Sequence, residues 1–332
     1  MSAFGTTRDS VPPAICDALR GAERVALIGH VTPDADCLGA IGAMWLALRQ
    51  LGKQPAPSMP ANSVARRLQF LVELADWQPA PREALAACDL ALVMDTAKDR
   101  RVNVDGKLEA LPGAAVLNLD HHDSNTQFGQ WNWVEGDRSS SCEMVYELIR
   151  ALGAEVTPAI ATLLYAGLHS DTQGFSLTNT TARSLAVAHD LARAGADIVD
   201  TCERLVRGKG RNEFELLKVI YANTQVSPDG KLGWSTADYD EIRAAGCVAN
   251  DIDDQVEVVR SIEGVRVAIL FTEGVQGKVR MNFRGERGWP VLELARQFNG
   301  GGHEQAAGAI LDGTVPQVVE RVLPAALKYI GL

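Results

Sequence analysis

Three short apolar runs in the first third of the chain each end on groups that bind cations. Val25-Ala26-Leu27-Ile28 runs into Gly29-His30-Val31-Thr32-Pro33-Asp34-Ala35-Asp36, Leu90 to Met94 runs into Asp95, and Ala114 to Leu119 runs into Asp120-His121-His122. Short continuous apolar runs bounded by turn residues read as buried strands. In an open parallel sheet the C-terminal strand ends face one crevice, where ligands bind. Three such ends would gather His30, Asp34, Asp36, Asp95, Asp120, His121 and His122 in one place. A single aspartate at a strand end is usually a turn or cap residue. Four aspartates and three histidines at consecutive strand ends point to a metal site.

The intervening segments read as helices, which makes the first part of the chain α/β with a parallel sheet. Cys37 to Leu51 carries Leu38, Ile41, Trp45, Leu46 and Leu48 at helical spacing, and its Gly39, Ala40, Gly42 and Ala43 would let it lie close against the sheet. Helices are also expected over Val11–Arg20, Ser63–Leu74, Cys142–Leu152, Ala159–His169, Thr181–Ala194 and from Asp197 onward, with Pro55–Pro60 irregular or a short strand. Trp131-Asn132-Trp133 reads as loop. His189 lies inside a helix and reads as structural, while His169 stays open because Asp171 follows it closely.

From residue 209 the texture changes. Arg211 to Tyr221 reads as a linker helix and Ser227-Pro228-Asp229-Gly230 as a turn, so the organisation expected is 1–208, a linker over 209–230, and 231–332. The last part predicts strands over Leu232–Thr236, Val256–Ser261, Val265–Thr272 and Lys278–Arg284, and helices over Tyr239–Ala244, Val291–Phe298 and Val315–Tyr329. That is a smaller mixed α/β domain, with a cleft expected between the two. Asn299-Gly300-Gly301-Gly302-His303, followed by Ala306-Ala307-Gly308, suggests a helix start able to offer N–H groups to an anion. Strand alternation places Lys278, Arg280, Asn282 and Arg284 on one face, either as phosphate contacts or as a solvated charged face.

Carboxylates and imidazoles suit Mn²⁺, with Mg²⁺ or Co²⁺ as alternatives. Asp34 and Asp36 leave one turn with a single residue between them, so each can address a different ion, and Asp95 can bridge both. Two ions roughly 3.5–4 Å apart can clamp a phosphate for in-line attack and activate the attacking water. A histidine that is not a ligand can stabilise the phosphate or protonate the leaving oxygen.

The chain resembles the DHH phosphoesterase superfamily over nearly its whole length. The resemblance rests on H-x-x-P-D-x-D-x-L-G at His30 to Gly39, on Asp95, on the namesake triplet Asp120-His121-His122, and on Asp171 in Ser170-Asp171-Thr172. Gly-Gly-Gly-His-x-x-Ala-Ala-Gly from Gly300 looks like the DHH-associated domain of subfamily one, in the manner of the oligoribonuclease (nanoRNase) and 3′-phosphoadenosine 5′-phosphate (pAp) phosphatase enzymes. The likeness implies one ion on His30, Asp34 and Asp95, and another on Asp36, Asp95, His121 and Asp171. It implies that His122 faces the scissile phosphate, that Asp120 orients the histidines, and that Arg284, Gly301, Gly302 and His303 grip the substrate's end. Asn282 stands where the family's S-x-R motif usually has serine, and Gln173 interrupts a D-T-G motif.

The expected activity is Mn²⁺-dependent hydrolysis of short oligoribonucleotides to mononucleotides, of pAp to AMP, or both. Alternatives are a linear-dinucleotide (pApA) phosphodiesterase, a RecJ-like single-strand exonuclease, and, in another class, a nucleotide-binding module without catalysis. A net charge of −10 argues against long nucleic acid as a partner, because such proteins carry a basic stripe; Arg204 to Arg211 is only a modest cluster. Six scattered cysteines without a C-x-x-C pair read as core thiols of a reducing compartment. With no run of some 18 apolar residues and no apolar leader, the expectation is a cytoplasmic protein without membrane partners, with a homodimer as the candidate assembly.

Overall fold

The computed structural model describes residues 11–59, 64–207, 210–248, 252 and 255–331. The predicted helix start at Ser63 lies outside them. The chain forms two compact units, residues 1–208 and 209–332.

In the first unit, α1 (Pro13–Gly21), β1 (Arg24–Ile28), α2 (Ala35–Gln50), β2 (Gln54–Ser58), α3 (Gln69–Ala75), α4 (Arg82–Ala86), β3 (Leu90–Met94), β4 (Ala115–Asp120) and β5 (Trp131–Val134) precede four helices. These are α5 (Ser141–Leu152), α6 (Pro158–Asp171), α7 (Ala182–Arg193) and α8 (Ile198–Arg207). The sheet order is β2-β1-β3-β4-β5 and every pairing is parallel. The chain leaves β1 toward β2 on one side and continues through β3 to β5 on the other. The gap between the ends of β1 and β3 is therefore a topological switch point, where an open α/β sheet forms its binding crevice.

Trp131-Asn132-Trp133, expected as loop, is strand β5, paired with β4 from Leu117↔Trp131 to Asp120↔Val134. Four residues with an asparagine among them carry too little apolar pattern to announce a strand. Proline-containing β2 sits at the sheet edge, where a missing N–H costs no ladder bond. The two glycines of α2 serve a neighbour different from the one expected. A Cβ on Gly39 would lie 2.4 Å from the Leu163 carbonyl, and one on Gly42 3.1 Å from the Leu163 side chain, so both glycines admit α6 rather than the sheet.

The second unit holds α9 (Arg211–Ala222), β6 (Gln225–Val226), β7 (Leu232–Ala237), α10 (Tyr239–Ala244), α11 (Glu257–Arg260), β8 (Val267–Val275), β9 (Lys278–Gly285), α12 (Leu292–Arg296), β10 (Gly301–Gly302), β11 (Ala306–Asp312) and α13 (Val315–Ile330). Its sheet runs β10-β11-β9-β8-β7-β6, antiparallel except for the β7–β8 pair. Val279, Met281 and Phe283 of β9 enter a core with Val318, Val322 and Ala326 of α13, and Leu216 and Ile220 of α9 enter another with Val259 and Leu270.

Two expectations change here. Val256–Ser261, rich in β-branched residues, forms the short helix α11. The glycine run does not start a helix: Gly301–Gly302 pairs antiparallel with Ala307–Gly308, a tight hairpin closed by the His303 N–H donating to the Ala306 carbonyl at 2.8 Å. Gly302 sits at φ 138, and a Cβ there would lie 2.4 Å from the Ala306 carbonyl oxygen, so the hairpin requires glycine.

Candidate metal centre

The turn after β1 carries His30 and, four residues on, Asp34. Asp34 is the N-cap of α2, its Oδ1 accepting the Cys37 N–H at 3.0 Å. A capping carboxylate is favoured at this helix end, and its second oxygen stays available: Oδ2 lies 3.6 Å from His30 Nε2. Asp36 enters the first turn of α2 and is completely buried. The N-terminus of α5 meets it there, the Ser141 and Cys142 amides donating to Oδ2 at 2.6 Å and Oδ1 at 2.9 Å. Close approach needs Gly167, where a Cβ would lie 2.6 Å from Asp36 Oδ1.

Asp95 follows β3 in the left-handed region, φ 52, a conformation aspartate tolerates better than most residues. Its two oxygens face opposite ways. Oδ2 is 3.3 Å from His30 Nε2, and Oδ1 is 3.5 Å from His121 Nε2. His121 Nε2 also faces Asp171 Oδ2 at 3.1 Å and Asp36 Oδ2 at 3.9 Å. Its other ring nitrogen, Nδ1, lies 3.4 Å from the Arg138 carbonyl, so Nδ1–H donates and Nε2 is directed at the carboxylates. Asp171 closes α6, two residues past its predicted end.

His122 is tied differently. Its Nδ1 is 2.7 Å from Asp120 Oδ1, while Asp120 Oδ2 accepts from Asn125 Nδ2 at 2.6 Å, which also reaches Asn118 Oδ1 at 2.8 Å. Asp120 is buried, and its hydrogen bond fixes the orientation of the His122 ring. His169 stays out of the cluster, its ring packing with Tyr165 and Phe175 at centroid distances of 5.8 and 6.4 Å. His189 is on α7 with its side chain mostly exposed. The six cysteines are free thiols, and Cys37, read as a core residue, lies with its sulfur in the His30–Asp95 pocket.

The electrostatics are those of a cation site. Burial, then repulsion from Asp95, pushes Asp36 up to about 7. Burial, then Asp36, raises Asp171 well above the usual carboxylate range. Burial opposes a charge on both imidazoles, yet the facing carboxylates raise His30 to about 10 and hold His121 well above its ordinary value. Asp95 goes the other way: against its burial, His121 and His30 hold it well below the usual range. Four carboxylates and two imidazoles, oxygen and nitrogen donors converging at 3.1–3.9 Å, fit hard or borderline divalent cations.

In the second unit Arg284 lies on the β9 face opposite the core, its Nε 3.5 Å from Glu257 Oε1 and its Nη1 donating to the Phe283 carbonyl at 3.2 Å. Arg280 Nε donates to Asn282 Oδ1 at 3.2 Å, and Lys278 pairs with Asp312 at 3.1 Å. Gly301 and Gly302 form β10, and His303 begins the hairpin turn that follows.

Residues 24–168 match the family model described as the DHH family, N-terminal domain, and residues 241–331 match that of the DHHA1 domain. The chain is 31% identical to the bifunctional oligoribonuclease and PAP phosphatase NrnA of Thermus thermophilus, over 94% of this chain and 92% of that one. It is 29% identical to the Bacillus subtilis protein of the same description, over 86% and 89%. In fold it is similar to an exopolyphosphatase-related protein from Bacteroides fragilis, with TM-score 0.86, 21% identity and 98% of each chain covered. The strand-end motifs, the parallel sheet that gathers them and the relatives agree: the chain belongs to the DHH phosphoesterase family, metal-dependent hydrolases acting on phosphoester bonds, with a DHHA1 domain at its C-terminal end.

Proposed function

We propose that this protein is a Mn²⁺-dependent phosphoesterase that hydrolyses short oligoribonucleotides to mononucleotides and pAp to AMP. The observation that carries the two-ion reading is the splitting of Asp95, one oxygen toward His30 and the other toward His121, at 3.3 and 3.5 Å. His30, Asp34 and Asp95 would hold one ion, and Asp36, Asp95, His121 and Asp171 the other. Such a pair supplies charge neutralisation at the phosphate and an activated water at neutral pH.

The protein's own groups do the rest. His122, fixed through Nδ1 by Asp120, presents its other nitrogen to the scissile phosphate and can protonate the leaving oxygen. We assign the substrate's end to Arg284, Gly301, Gly302 and His303, where a guanidinium and backbone N–H groups suit a terminal phosphate. The substrate class is supported by the two relatives described as oligoribonuclease and PAP phosphatase. The organisation that follows is a catalytic domain over 1–208, a connecting helix and turn over 209–230, and a substrate-gripping domain over 231–332.

A turnover panel with Mn²⁺ tests this, comparing pAp, pApA, RNA of two to five nucleotides, a 24-nucleotide single-stranded DNA and pyrophosphate. Strong cleavage of pAp and the shortest RNAs with little on the 24-mer is the expected pattern. Preference for the 24-mer would overturn the short-substrate assignment, and no turnover of any substrate would overturn the enzymatic one.

A further inference from the structure

Between β5 and α5 the chain passes through Arg138-Ser139-Ser140-Ser141, all buried, with Arg138 only 2% exposed. Arginine is seldom fully buried unless paired, and three glutamates surround this one. Arg138 Nε donates to Glu135 Oε2 at 2.6 Å, and Nη1 donates to Glu147 Oε1 at 2.5 Å and Glu143 Oε1 at 3.3 Å. The cage is itself anchored: Glu135 Oε1 accepts from Trp133 Nε1 at 3.0 Å, and Glu143 Oε2 from the Ser139 N–H at 3.3 Å. A buried ionic cluster of this kind is weak evidence for stability, since apolar residues of similar volume often serve as well. Its contribution is to be sought in what it holds still.

The segment it holds touches three members of one proposed ligand set, His121, Asp36 and Asp95, and is tied to the fourth, Asp171, through Asn179. The Arg138 carbonyl accepts from His121 Nδ1 at 3.4 Å, and the Ser141 and Cys142 amides hold both oxygens of Asp36. Ser141 Oγ donates to Asp95 Oδ1 at 3.3 Å, the oxygen on the His121 side. Asn179 Nδ2 donates to the carbonyls of Ser139 at 3.0 Å and Asp171 at 3.1 Å, tying the segment to the end of α6. His30 and Asp34 are placed by other means, His30 through its bridge to Val102 and Asp34 through its cap on α2.

We infer that Arg138 is a positioning residue for one ion of the pair: its glutamate cage fixes the 138–142 segment, which sets Asp36 and His121 and, through Asn179, Asp171 at ligand geometry, while the other ion shares only Asp95 with this set and has its own His30 and Asp34 held elsewhere. The inference rests on the two-ion reading above. A planar guanidinium reaches three carboxylates in fixed directions, which a lysine ammonium on a flexible stem does not.

The test is a Mn²⁺ titration of the chelated, dialysed protein by calorimetry, wild type against Arg138→Lys, with thermal melts to establish that both are folded. Wild type should show two sites. In Arg138→Lys one site should keep its affinity while the other weakens roughly 10- to 100-fold, the range for groups that orient metal ligands, and the weakened site should be the one Asp171→Asn loses. Unchanged affinity at both sites, or equal weakening of both, would overturn the inference while leaving the two-ion reading in place. Fewer than two sites in the wild type would overturn that reading and the inference with it. If Arg138→Lys does not fold, Glu147→Gln, which removes one cage carboxylate and keeps the guanidinium, should weaken the same site by a smaller factor, and equal affinities there would count against the inference in the same way.

Discussion

The two halves of the site that meet at Asp95 are built in opposite ways. The His30–Asp34 half is local and shallow: two side chains four residues apart in one turn, with the Asp34 side chain 49% exposed. The other half is deep and assembled from afar. Asp36 and His121 are buried, Asp171 is only 18% exposed, and their backbone and side-chain supports come from α5, Asn179 and the Arg138 cage. In the first half solvent screens the Asp34 carboxylate, although His30 itself is buried. In the second, burial leaves the carboxylates in need of a positive partner, which is why Asp36 and Asp171 hold their protons so far above the usual range. A cation should therefore matter more to the folding of the deep half than to that of the shallow one.

The largest effect expected is from Asp95→Ala, which removes the residue the halves share. Several kcal/mol of transition-state stabilisation depend on the ions, so kcat/KM should fall by about 10³-fold or more at 1.36 kcal/mol per decade, with fewer than two Mn²⁺ bound by elemental analysis. Near wild-type turnover would show that the halves do not depend on a common carboxylate. Next comes Asp120→Asn, which leaves both halves intact but loosens His122. A loss of about 10–100-fold in kcat with unchanged metal content is expected, and a loss of metal would move Asp120 into the ligand set.

Smaller still should be Arg284→Ala and His303→Ala, which lie in the other unit. Each should raise KM by about tenfold, the cost of one charge-assisted contact, with both ions retained; loss of Mn²⁺ in either would contradict the substrate-grip role. The smallest effect sharpens the comparison directly. In the chelated protein Asp36, Asp171, His30 and His121 all bind protons more tightly than in the unfolded chain. The folded state then carries extra protons, so stability falls as pH rises from about 5 toward 9. Added Mn²⁺ should restore a few degrees of Tm, more at pH 8 than at pH 5.5, read by scanning calorimetry. A gain that shrinks with rising pH would mean that the buried carboxylates are not where the cation acts.

The contrast between the halves also marks what a linear sequence discloses. The shallow half is legible because a strand end, a turn and a helix cap are neighbours in the chain. Asp95, His121 and Asp171 are legible as strand-end or motif residues, although Asp171 ends α6 rather than following it. The supports of the deep half are not, because Ser141 and Arg138 reach Asp36 and His121 through a backbone amide and a carbonyl, which any residue type supplies, and Asn179 reaches the Asp171 carbonyl with a side-chain amide that nothing in its sequence neighbourhood singles out. Arg138 in particular reads as an ordinary surface arginine beside acidic neighbours until the fold buries it. The misread elements have equally local causes. β5 is too short to declare a period, α11 is a run of β-branched residues folded into one helical turn, and the glycines that suggest a helix start are the ones a close hairpin needs.

The most direct test of the central claim is a crystal grown with Mn²⁺ and measured for anomalous scattering at the manganese edge. The account predicts two peaks about 3.5–4 Å apart, one beside His30 and Asp34, the other beside Asp36, His121 and Asp171, with Asp95 between them. A single peak, or two peaks without Asp95 as their common ligand, would contradict it.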